Sequence, residues 1–186
     1  GLGAAKVGEV GSYTGQKKGI VILVNYTDVK WQSSNTLALF KRIANEENFT
    51  HSLGFVGSVH DYFRDQSLGQ FDLTFDVMGP VPLKYNRNYY GENNSYGDDK
   101  RPEEMVIEAC KYIDDDVDFS DYDWDGDGEV DQVFILYAGA GEANGGADET
   151  VWPHEWELSA AGKSLTLDNT RINTYGCSCE LQPDEV

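Results

Sequence analysis

From Asp121 to Asp127 a carboxylate stands at every second position, with Gly126 interleaved and Gly128, Glu129, Val130 and Asp131 following. The apolar run Val133, Phe134, Ile135, Leu136, Tyr137, Ala138 then begins. Acidic side chains this dense repel one another, so the stretch has to be a corner: either a solvated acidic turn or a loop folded round a cation. Alternate carboxylates with glycine let a short backbone segment present several oxygens to a hard ion. With Asp123 as position one, Asp125 and Asp127 fall at three and five, Gly128 at six and Glu129, through its carbonyl, at seven. The apolar Val130 falls at eight and Asp131 at nine. Counting from Asp121 also puts a glycine at six, but places Gly128 where an apolar anchor belongs. The Asp123 register is therefore preferred, and calcium is the expected ion. Position twelve is Phe134, where an EF-hand has its bidentate Glu. The missing oxygens must come from elsewhere, with Asp121, Asp114–Asp116 or Glu142 as candidates.

The 186 residues suit one α/β or α+β domain with a real core. Fourteen basic against 33 acidic residues give a net charge of −19, which argues against nucleic acid and anionic membrane as partners, because phosphate recognition needs a basic face. No apolar run approaches a membrane span. The charge agrees with a secreted or cell-surface, calcium-loaded protein whose signal peptide is removed or omitted, although acidic surfaces also serve solubility alone. Cys110 sits on the apolar face of an expected helix. Cys177 and Cys179 are too close together for an ordinary bridge, so no disulfide framework is expected and the cysteines do not settle the compartment.

Residues 1–17 lack periodicity and read as a loose amino-terminal arm, with one domain over 18–186. Residues 19–24 are a continuous β-branched run, as expected of a strand buried on both faces. Asn35 or Ser34 caps a helix carrying Leu37, Phe40 and Ile43. Ser58 with Asp61 makes a capping-box pattern for a second helix burying Val59, Tyr62 and Phe63. Residues 71–77 alternate with period two, Phe71, Leu73, Phe75 and Val77 inward; Gly79-Pro80 turns or bulges the chain. Residues 85–100 read as a polar loop. Pro102 opens the strongest helix, Pro102–Ile113, with Met105, Val106, Ala109, Cys110 and Ile113 on one face. Asp114–Asp116 oppose that helix's dipole, which fits a nearby cation or a solvated loop equally well. Residues 133–138 form another buried strand, and 151–156 an irregular edge segment, since Pro153 cannot serve a central strand. A hairpin turns at Asp168-Asn169. Buried strands alternating with helices give a mixed β-sheet with packed helices.

Several motifs fail. The glycines of 139–145 are misplaced for a dinucleotide turn and no helix follows. Gly162-Lys163-Ser164 lacks the first glycine of a P-loop. His154-Glu155-Trp156-Glu157-Leu158 begins like a zinc helix but carries Leu158 where the second histidine belongs. His51, His60 and His154 therefore read as surface or hydrogen-bonded residues.

In combination, residues 57–80 (Gly-Ser-Val-His-Asp-Tyr-Phe-Arg-Asp-Gln-Ser-Leu-Gly-Gln-Phe-Asp-Leu-Thr-Phe-Asp-Val-Met-Gly-Pro), 123–131, 137–143 and 151–156 resemble the immune-inhibitor-A-like secreted bacterial metallopeptidases. The resemblance covers roughly residues 18–181. It implies a metzincin-like zinc-peptidase fold, of which this chain is the amino-terminal subdomain, with calcium near the acidic loop. It implies zinc in the parent protein, on a His-Glu-x-x-His helix following a segment like residues 175–181. That motif is not among these residues, so no catalytic residue is carried over and the metal residues are Asp123, Asp125, Asp127, Glu129 and Asp131. The expected partners are a protein or peptide substrate lying along an edge strand around residues 139–156, and the remaining part of the peptidase domain. The alternative is a non-catalytic calcium-dependent pseudo-peptidase or binding module.

Overall fold

A computed structural model describes residues 14–50, 56–141, 151 and 153–181. Its centre is a five-stranded sheet in the order β2-β1-β3-β7-β4. The strands are β1 (Gly15–Asn25), β2 (Phe71–Pro82), β3 (Val133–Ala140), β4 (His154–Glu157) and β7 (Thr174–Leu181). β1 lies parallel to both β2 and β3, β3 lies parallel to β7, and β4 alone runs antiparallel, at the edge. A two-stranded hairpin, β5 (Leu165–Leu167) and β6 (Thr170–Ile172), turns at Asp168 and Asn169, both at positive φ. The mixed sheet with packed helices matches the α+β expectation.

Both faces of β1 are buried, which is why its sequence is continuously apolar rather than alternating. Ile20, Ile22 and Val24 point to one side and pack on α4 (Pro102–Ile113), whose Met105, Val106, Ala109 and Cys110 are fully buried. Tyr26, Tyr90, Tyr137 and Tyr175 complete this core. Their hydroxyls find partners: Tyr90 donates to Glu108 Oε2 at 2.7 Å and Tyr137 to the Val151 carbonyl at 2.6 Å. Burial pushes all four phenols well above their ordinary range. The other face carries Leu23, Phe71, Leu73, Phe75 and Val77 against α1 (Leu37–Asn45) and α2 (Val59–Gln66). Here Val21, Phe134 and Leu136 are only half buried, so this face is less completely covered than the first. Gly19 sits beneath the Phe75 ring, where a Cβ would come within 2.7 Å. Gly79 (φ +105°) passes so close to the Leu23 carbonyl that no side chain fits.

Four local readings change. β1 begins at Gly15, inside the segment expected to be a loose arm; residues 1–13 lie outside the described part. Thr36, not Asn35 or Ser34, caps α1. The Ser58–Asp61 capping box forms as expected, but α2 buries His60 and Asp61 and leaves Val59 and Tyr62 38% and 60% exposed. Eight residues are too few for periodicity to fix a face, and polar contacts decide it instead. Asp61 accepts the backbone N–H groups of Ser58 and Asn48, which hold its carboxyl below the ordinary range, and His60 Nε2 meets Asp72 Oδ1. Finally, the segment read as a polar loop contains a capped turn of helix, α3 (Arg87–Gly91), because Asn86 accepts the Tyr89 N–H.

Candidate functional site

The acidic loop is tied to the fold on both sides of the sheet. Val130 and Tyr122 are buried in the α4-side core. Trp124 packs edge-on against Phe71 on the other side and donates its indole N–H to the Lys18 carbonyl at 2.6 Å. Within the loop, carboxylates occupy the backbone N–H groups. Asp123 accepts three of them: Gly126 (2.8 Å) and Asp127 (3.2 Å) on Oδ1, and Gly128 (2.8 Å) on Oδ2. Asp125 accepts Asp127, and Asp131 accepts Trp124. Gly126 and Gly128 have φ of +78° and +87°, which lets the chain curl round these oxygens. The result gathers Asp123, Asp125 and Asp131, one oxygen of each lying within 4.8 Å of the others.

The remaining expected ligands are disposed differently. The Asp127 carboxylate accepts the Glu129 N–H at 2.8 Å and stands outside that trio. The Glu129 carboxylate pairs with Arg171 at 3.0 Å, consistent with a residue expected to contribute only its carbonyl. Asp121 is 3.3 Å from Lys18, which also reaches Asp76 at 3.4 Å. Asp114–Asp116 form a turn of 3-10 helix at the end of α4, and Glu142 lies outside the described residues. The loop is also spliced to the hairpin: Arg171 donates its N–H to the Gly128 carbonyl, and Val130 donates to the Arg171 carbonyl.

Hard carboxylate oxygens clustered on a glycine-rich turn fit calcium. Zinc has no such fit here. Among the described residues no other three His, Cys, Asp or Glu side chains are grouped as these are. His154 Nδ1 lies 3.3 Å from Cys177 Sγ, and its Nε2 lies 2.9 Å from the Tyr175 hydroxyl. Burial pushes the Cys177 thiol up to about 12, which favours its protonated, packed form. His51 lies outside the described residues.

A second feature was not signalled by any motif. A cleft of about 770 Å³ opens between residues 94–100, the start of α4, β4 and the turn at Leu158–Ala161. Glu103, His154, Trp156 and Tyr175 line it. The register pairs His154 with Cys177 and Trp156 with Tyr175, so β4 and β7 present these side chains to the same, α4-covered face. In the sequence Glu103 is an ordinary first-turn acid. Its burial depends on segments some fifty to seventy residues away, for which no local pattern exists.

Comparison with known proteins places these features in a family. The family described as Immune inhibitor A peptidase M6, catalytic domain, matches residues 4–179. The chain is similar to Immune inhibitor A of Bacillus thuringiensis subsp. alesti, with 25% identity over 193 residues, covering 86% of this chain and 28% of that protein. It thus spans little more than a quarter of that relative's length. With nearly all of its described sheet inside the matched region, the chain belongs to the immune inhibitor A peptidase M6 family.

Proposed function

We propose that this chain is the amino-terminal, calcium-binding part of the peptidase domain of a secreted zinc-dependent endopeptidase, and that the 186 residues alone cleave no peptide bond. The observation that carries this reading is the family match over residues 4–179 of a chain without His-Glu-x-x-His. In this role the residues present supply scaffold rather than zinc chemistry. Calcium bound at Asp123, Asp125, Asp131 and the Glu129 carbonyl, with Asp127 adding to the negative field, offsets the repulsion among the carboxylates and fixes the corner before β3. An extended substrate adds to the outer edge of β4, which pairs with no other strand among the described residues, and peptide hydrogen bonds there give affinity. The half-covered sheet face bearing Val21, Phe134 and Leu136 supports docking of the remaining part of the peptidase domain. Secretion agrees with the extracellular abundance of calcium. None of the described helices is long and apolar enough to cross a membrane.

Hydrolysis of casein and of a fluorogenic peptide library by the 186-residue chain, with zinc and calcium added, tests the reading. No turnover above buffer is expected. Zinc-dependent cleavage abolished by chelation would sink the assignment of these residues as scaffold alone.

A further inference from the structure

The cleft beside β4 combines negative charge with aromatic walls. Asp98, Asp99 and Glu103 supply the first, Trp156 and Tyr175 the second. Glu103 is only 8% exposed, yet no described residue forms an ion pair with it. Lys163 and Arg101 act on it through space without pairing with it. The nearby cations are engaged elsewhere. Lys163 is 3.5 Å from Glu104, Lys100 is 2.7 Å from Glu92, and Arg101 pairs with Glu92 while lying over the Tyr89 ring. A largely buried carboxylate that faces a cleft with no cation in ion-pair contact is placed to take one from a ligand. Trp156, 56% exposed at the rim, offers a ring face of the kind that guanidinium and ammonium groups favour.

The strand above the cleft decides what brings the cation. β4 ends the sheet, and among the described residues no strand pairs with its outer edge. His154 and Trp156 point to the cleft side and Glu155 and Glu157 to the other. A peptide added along that edge sends alternate side chains the same way. We infer that the cleft is a binding subsite for a basic side chain, lysine or arginine, of a peptide lying along β4, with Glu103 as the charge partner and Trp156 as the stacking wall. The peptide part of this inference rests on the edge-strand reading above, whereas the preference for a basic group rests on the cleft itself.

Three probes separate the two. Acetyl-Ala-Arg-Ala-amide, its norleucine counterpart and the strandless acetylarginine methylamide are titrated into the 186-residue chain and followed by amide and indole NMR shifts. The arginine peptide is expected to bind about tenfold more tightly than the norleucine peptide, as a charge-assisted contact allows. It should perturb Glu103, Trp156 and Tyr175 and protect the outer amides of β4 from exchange. In Glu103→Gln, checked by its amide NMR spectrum to keep the wild-type fold, the preference should fall to within about twofold. In the wild type, raised salt should shrink it too, an arm that needs no variant. Equal affinities of the two peptides, with β4 still protected, would overturn the subsite and leave the edge reading standing. Cleft shifts from acetylarginine methylamide with no β4 protection by either peptide would support the subsite and overturn the edge reading. Silence from all three probes would overturn both.

Discussion

The loop at residues 123–131 and the cleft around Glu103 both concentrate negative charge, but they are assembled in opposite ways. In the loop, neighbouring residues supply all the carboxylates, water reaches them, and backbone N–H groups donated by the same nine residues hold them in place. In the cleft one carboxylate dominates. It is buried, and its surroundings come from four separate segments of chain. Exposed charge of the first kind costs little and is organised before any ligand arrives. Buried charge of the second kind is costly until a partner comes, and that cost makes it selective.

The largest expected difference between the two is in the response to calcium. At a hundred times its dissociation constant a ligand of the folded state adds about 2.7 kcal/mol. For a chain of this size that is roughly 5–10 °C in melting temperature. Calcium should produce such a rise in the wild type and in Glu103→Gln, and none in Asp125→Ala. Identical melting curves in millimolar calcium and in chelator would dismiss the metal from the loop.

A smaller effect tests whether the loop is organised without metal. In chelator, Asp123→Ala should cost about 1–2 kcal/mol, since the Gly126 and Gly128 N–H groups lose their acceptor while the Asp127 N–H keeps Asp125, whereas Asp125→Ala leaves the Asp127 N–H on Asp123 and should cost less than half as much. Urea denaturation of the two variants decides it. Equal losses would mean that the loop's hydrogen bonds do not hold it.

The smallest effect belongs to the cleft. Burial raises the Glu103 carboxyl above its ordinary value, so the folded state prefers the protonated form. The resulting penalty is absent below the unfolded carboxyl value and grows as pH rises through and beyond it. Glu103→Gln should therefore melt slightly higher than wild type at pH 8, of the order of 2 °C, with the gain vanishing near pH 4. A gain that persists at pH 4 would point to packing rather than charge.

The same contrast explains what could be read from the sequence. The gathering of Asp123, Asp125 and Asp131 was legible because these carboxylates lie within nine residues and Val130 is buried as the expected anchor, whereas Asp127 stands apart from them. Helix α4 was legible to the residue, because Pro102 fixes its start and a single apolar face runs its whole length. Period-two alternation located the core face of β2, and Asp168-Asn169 located the hairpin. The buried face of α2 was misread because hydrogen bonds to Asp61 and His60 outweighed the apolar pattern. The capped turn at Arg87–Gly91 was hidden in a polar stretch whose Tyr90 is completely buried only by tertiary contact. The cleft had no signature at all. Nothing about Glu103 differs from Glu104 beside it until α4 is set against β4 and β7.

The splice between the acidic loop and the hairpin has a thermodynamic consequence. Arg171, which exchanges backbone hydrogen bonds with Gly128 and Val130, stands four residues before Tyr175, which lines the cleft. That short run, through Asn173 and the start of β7, is the route along which any coupling between the loop and the cleft would pass. Such coupling is reciprocal by necessity. If calcium in the loop sharpens the cleft for its ligand, that ligand must tighten calcium by the same factor, and the ion concentration around the protein then sets how strongly the edge of the sheet grips what it meets.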